Sequence, residues 1–189
     1  MSPPIRLEVG EDILWGNMPL SEFLNHTAVQ ATLRAQIYKV FVLQGEEFKP
    51  VDNKHAFHQA VRDFHQAITA AGGQTVLFAT WEFSWRPFLE DLAASYEQIG
   101  AELRIPVIPV GRIYKDCDET PFDESLTPYW LTAQDLHQTC QGTAVNAYAV
   151  FSLLTGRDPD GTNFSAPGNI NDDSIMQYFS KMAWARMAV

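Results

Sequence analysis

A three-layered α/β fold is predicted by two short apolar runs that end in polar loops, by a helical stripe of apolar residues after each, and by their alternation along the chain. The first run, YKVFVLQ (38–44), is rich in Val and aromatics and stops at Gly45-Glu46-Glu47, as suits a buried strand. Residues 54–71 then place Phe57, Ala60, Val61, Phe64, Ile68 and Ala71 at helical spacing, closed by Gly72-Gly73. TVLFATW (75–81) reads as a second buried strand, and residues 87–103 as a second helix with Phe88, Leu92, Tyr96 and Leu103 on one side. Helices of this length between strands imply parallel crossovers. A third run, IPVIPVGRIY (105–114), is strand-like, but Pro106 and Pro109 cannot donate to a ladder and place it at an edge or give it irregular ends.

Residues 115–133 mix acids, prolines and aromatics without a period and read as a long loop. A helix follows from Thr139 to Thr155, carrying Val145, Tyr148, Ala149, Ser152 and Leu153, with Gly156 as its C-terminal stop. A polar stretch (156–173) leads to a last amphipathic helix from Asp173 to Met187.

With 189 residues, 46% of them hydrophobic and 19% charged, the chain has the makings of one ordinary folded domain spanning 1–189. A formal charge of −10 without a basic run argues against a nucleic-acid partner. No run is long enough to span a membrane, and MSPPIRLEVGED lacks the basic-then-apolar order of a signal peptide, so a cytoplasmic protein is expected. Cys117 and Cys140 make neither a disulfide framework nor a Cys-rich metal site and are expected as free thiols.

In open parallel sheets reactive groups collect beyond the carboxyl ends of the strands. Gln44 with Glu46 and Glu47, Trp81 with Glu82, and the loop before His137 all fall at such ends. His137 stands just before a helix and two residues after Asp135, a carboxylate that could hold an imidazole in one tautomer. His55, His58 and His65 share one helix, but they flank the polar side of its apolar stripe and no Cys joins them, so no metal is expected there. Cys140, one turn beyond His137, suits a small hydrophobe better than a nucleophile. The acids Asp116, Asp118, Glu119, Asp123 and Glu124 lack the order of an EF-hand and read as solvated surface. GxSxG, Walker and GxGxxG motifs are absent, and no cofactor is expected.

Four segments together resemble the SGNH (GDSL-like) hydrolase superfamily, in a branch reading "VLQE" after a central strand, "TW" after the next and "D-x-x-H-x-s-x-x-G" before the final helix. They are FVLQGEE (41–47), FATWEFSWRP (78–87), IPVIPVGRIY (105–114) and DLHQTCQGTAVNAYAVFSLLTGRDP (135–159), in the family's order over about residues 36–159. The resemblance implies a mainly parallel, flavodoxin-like α/β/α sandwich and a serine-based ester hydrolase site. It makes His137 the general base, gives Gln44 the part of an amide donor to the oxyanion, and makes Trp81 a pocket wall. Asp135 would orient His137, although the family's Asp stands three residues before the His, where this chain has Gln134.

The nucleophile block departs further. Family members carry Gly-Asn-Ser or Gly-Asp-Ser at the end of a first strand; the nearest echo here is ILWGNMPL (13–20), where Met18 follows Gly16-Asn17. Either Asp12 to Trp15 is a remnant of that strand, or RLEVGEDIL is the family's second strand and the first is lacking. Met has no oxygen to attack with. Ser84 follows the wrong strand, and Ser21 reads as a cap for a helix beginning at Glu22.

The implied function is hydrolysis of a small acylated, carbohydrate-like ester, impaired by the missing serine. The alternative is a non-catalytic domain that keeps the crevice and uses Trp81, Trp85 and Trp130 as stacking surfaces. A third reading is a homo-oligomer whose partner chains complete the sheet.

Overall fold

The computed structural model describes residues 8, 10, 18–133, 137–162 and 173–188. Its elements run α1 (Leu20–Phe23), α2 (Thr27–Ala35), β1 (Val40–Leu43), α3 (Lys49–Asp52), α4 (Lys54–Ala70), β2 (Gln74–Ala79), α5 (Leu89–Leu103), β3 (Val107–Pro109), α6 (Val110–Glu119), α7 (Cys140–Thr155) and α8 (Asp173–Met187). The strands form one sheet in the order β1-β2-β3. The fold is therefore α/β, with a three-stranded parallel sheet. The chain forms two compact units, one of Met1–Ala79 with Ala94–Val107, the other of Thr80–Ala93 with Ile108–Val189.

In the first unit β1 and β2 pair in parallel, from Val40 opposite Gln74 to Leu43 opposite Leu77, with α4 as the crossover that the apolar stripe predicts. Phe57, Ala60, Val61, Phe64 and Ile68 are all buried, and Gly72 at φ +78° carries the chain out of the helix. His58 corrects the sequence reading: it is buried rather than on the polar side, with Nε2 2.9 Å from the Ser95 carbonyl and 3.1 Å from Ser95 Oγ. Burial lowers its pKa, which favours a neutral ring donating to that carbonyl. His65 Nδ1 lies 3.0 Å from Thr75 Oγ1, while His55 is exposed, so the three histidines have separate surroundings.

Residues 19–36 form two helices, where the sequence reads Ser21 as the cap of one beginning at Glu22. His26 is extended and its ring accepts from the Ala28 N–H, starting α2 afresh, while Gln36 in the left-handed region (φ 53°) ends it. Ser21 consequently lies inside α1 instead of capping a helix from Glu22. The loop after β1 is tied down from within the unit, for the buried Tyr96 hydroxyl accepts from the Gly45 N–H at 2.8 Å. Burial pushes that phenol well above its usual range.

The main correction to the sequence reading is at residues 105–119. The strand expected over 105–114 stops at Pro109, and α6 occupies what was read as strand and then loop. Val110, Ile113, Tyr114 and Cys117 are buried, the i, i+3, i+4, i+7 set of a helix, and this period outweighs the β-branched composition. Helix α7 starts at the Thr139 cap, whose Oγ1 accepts from Gly142 N–H, and ends at Gly156 (φ 63°), as the sequence predicts. Helix α8 packs on α7, and it is tied to the α6 region by Tyr178 Oη donating to the Thr120 carbonyl at 2.8 Å. Arg186 also grips Asp116 with two nitrogens, one at 2.6 Å from Oδ1. Among the described residues no helix is long and apolar enough to cross a membrane.

Candidate ligand-binding site

Two residues beyond β2 the second unit opens a cavity of about 260 Å³. Its apolar side includes Trp81 and Tyr114, whose rings stack with centroids 5.1 Å apart and planes 19° off parallel. One wall is α6, which contributes Tyr114, Lys115, Asp118 and Glu119. Gly111 lets that wall approach: a Cβ there would lie 2.3 Å from the Thr80 carbonyl oxygen and 3.0 Å from Trp81 Cα. Tyr129 and Thr132 contribute to the lining from the segment before α7.

Three carboxylates line this cavity, Glu82, Asp118 and the exposed Glu119. Glu82 Oε2 accepts from the N–H groups of Phe88 and Leu89 at 2.7 and 2.8 Å, closing the start of α5, while its Oε1 has the Tyr129 hydroxyl at 3.5 Å. Asp118 accepts from the Tyr129 N–H with both oxygens, at 2.9 and 3.0 Å. Burial raises the Asp118 pKa, the Tyr129 N–H opposes that, and the charges of Glu82 and Glu119 add to the rise. Tyr129 itself sits in the left-handed region at φ 65°, unusual for an aromatic residue, and is pinned there by Asp118 and by Thr132, whose N–H and Oγ1 both donate to its carbonyl.

The residues singled out in the sequence are distributed as follows. Trp81 is buried and forms part of the cavity wall. His137 is exposed and belongs to the same unit, but it is not among the described lining residues. Its backbone is held firmly: the Ala133 N–H donates to its carbonyl at 2.7 Å, and Thr132 and Gln138 on either side form an antiparallel bridge. Asp135 and Gln134 lie outside the described residues, as do Asp12 to Trp15 and Gly16-Asn17; Met18 is half-buried. Gln44 is exposed directly after β1, in the first unit.

Ser84 is exposed in the turn closed by the Phe83 and Arg86 bridge, and the exposed Trp85 stacks on Phe83 with centroids 5.6 Å apart. Trp130 is half-buried and stacks on Phe179. Both cysteines are free thiols; Cys140 is exposed, not the buried hydrophobe expected, and Cys117 is buried, which pushes its thiol up to about 12. Asp116 and Asp118 are engaged rather than solvated, the first by Arg186 and the second by Tyr129. Among the described residues no three His, Cys, Asp or Glu side chains gather to hold a metal.

Sequence reasoning missed Tyr114, Asp118 and Tyr129 as site residues. The first two were findable, since Gly111, Tyr114 and Asp118 recur at spacings of three and four along the helical period of α6. A smaller cavity of about 130 Å³ lies in the first unit beside Gly45, Glu46, Lys49 and Asn53. No family model matches the chain, and searches of curated proteins and of solved structures likewise find no match.

Proposed function

We propose that this chain is an SGNH-hydrolase-like domain, a flavodoxin-like three-layer sandwich, whose second unit binds a small acylated molecule, acylated carbohydrates included, without cleaving it. The observation that carries the binding reading is the second unit's own cavity, bounded by Trp81, Tyr114 and Tyr129 and mixing aromatic walls with a few polar groups. A buried stacked pair offers an apolar platform, and Glu82 and Asp118 offer acceptors to hydroxyl groups. The family assignment rests on the four ordered segments. Met18 at the nucleophile position supports binding over cleavage.

Ester hydrolysis is the second reading, favoured by the firmly anchored and exposed His137 with Asp135 two residues before it. A fluorophosphonate followed by intact mass separates the two, with His137→Ala as control. No adduct on the folded protein, together with calorimetric binding of an O-acetylated methyl glucoside, is the expected result. A single adduct that disappears in the variant would establish a working serine, for which Ser84 and Ser21 are the candidates, and would overturn the binding-only reading.

A further inference from the structure

The Trp81 cavity combines two features that neutral ligands do not need together. Among the described lining residues, three aromatics, Trp81, Tyr114 and Tyr129, face a space that also holds Glu82, Asp118 and Glu119 against one cation, Lys115. We propose that this cavity selects a ligand bearing an ammonium group, so that its ligand class is the O-acyl ester of an amino alcohol or amino sugar. The inference rests on the reading of the cavity as the ligand crevice and adds the charge of what enters it.

The hydrogen bonds within the site leave acceptor capacity of one sign. A carboxylate has about four lone-pair directions. At Glu82 the two strong contacts both fall on Oε2, and the long Tyr129 contact is what Oε1 receives. At Asp118 both oxygens share a single N–H. The Thr132 hydroxyl donates away from the carboxylates, to the Tyr129 carbonyl. Among the described lining residues, Glu82 and Asp118 therefore keep acceptor capacity to spare, and a ligand that supplies donors is favoured.

Charge decides which donor. Glu82 and Asp118 repel one another across a partly desolvated space, and Lys115, the one cation among the described lining residues, is solvent-exposed. A ligand hydroxyl would satisfy a lone pair and leave that repulsion in place. An ammonium would satisfy it, cancel the repulsion and meet the negative faces of the aromatic rings. A ligand carboxylate or phosphate would add to the repulsion and is rejected. A bare metal ion is disfavoured by the donor set, since among the described residues no three ligating side chains converge and much of the remaining wall is aromatic or aliphatic. At about 260 Å³ the cavity has room for a trimethylammonium head with a short chain.

Calorimetry with choline and with its neutral isostere, 3,3-dimethyl-1-butanol, tests the proposal. The expected result is choline binding about tenfold or more tightly than the isostere. Asp118→Asn keeps an oxygen for the Tyr129 N–H and should weaken choline about fivefold to tenfold more than it weakens the isostere; circular dichroism checks its fold. Equal affinity of the two probes, or an Asp118→Asn variant that binds choline as wild type does, would overturn the charge selection. If choline fails to bind while O-acetylated methyl glucoside does, the ammonium inference falls and the crevice reading stands. If no probe binds, both fall.

Discussion

Gly111→Ala sets two effects of known size against each other. Replacing a helical glycine by alanine ordinarily stabilises by about 0.5–1 kcal/mol, because alanine loses less backbone freedom on folding. Within the second unit the added Cβ would meet the Thr80 carbonyl oxygen at 2.3 Å, Leu89 Cδ1 at 2.7 Å and Trp81 Cα at 3.0 Å. Two of these are backbone atoms that cannot rotate aside, and the shortest contact falls about 1 Å short of an ordinary one. Overpacking of this kind costs about 1–3 kcal/mol, so the net effect is a loss of about 1–2 kcal/mol. Since α6 also carries Tyr114, Lys115, Asp118 and Glu119, the shift that relieves the clash moves one wall of the cavity. Urea unfolding followed by tryptophan emission, with choline calorimetry alongside, should show a lower midpoint and weaker binding. An alanine variant as stable as wild type, binding choline equally well, would refute the close approach of α6 to the Thr80–Trp81 backbone.

Glu82→Ala strips the acceptor from two N–H groups at the start of α5 and should cost about 2–3 kcal/mol, most of it recovered by Glu82→Gln; equal urea midpoints for wild type and Glu82→Ala would contradict the capping role. Tyr96→Phe leaves the buried Gly45 N–H without its acceptor, which predicts a loss of about 1–3 kcal/mol and faster hydrogen exchange at Gly45; unchanged exchange would show that the loop is held otherwise. The Asp118 carboxyl is held above its ordinary value, chiefly by burial, so its contribution to stability is present below that ordinary value and lost as pH rises through the raised one. Asp118→Asn should therefore be no less stable than wild type at pH 7 and should flatten the mildly acidic part of the stability profile, whereas an unchanged profile would refute the assignment.

How much of this was legible beforehand depends on where each signal resides. Helix α4 was readable because five buried apolar residues recur at its period and Gly72 closes it, and α7 because Thr139 and Gly156 mark both ends. The stretch from 105 to 119 misled because two prolines among Val and Ile look like a broken edge strand; the deciding period, Val110, Ile113, Tyr114 and Cys117, extends into residues whose polarity suggested a loop. His58 was misplaced by residue type, since a neutral imidazole with Ser95 beside it can be buried where a charged one would not be. Trp81 stood out by its position just past a strand, and its part as a wall came from the family resemblance. Asp118 and Tyr129 could not be paired, because eleven positions separate them and the link is one backbone N–H reaching a carboxylate.

The central claim is that the Trp81 cavity is a ligand site, and the chain's five tryptophans provide a direct readout. In an indole N–H NMR titration of the folded protein with O-acetylated methyl glucoside, the Trp81 resonance should shift saturably, while Trp85, which is 62% exposed and outside the cavity lining, stays in place. A Trp81 resonance that does not move, or tryptophans that all drift together without saturating, would contradict the account.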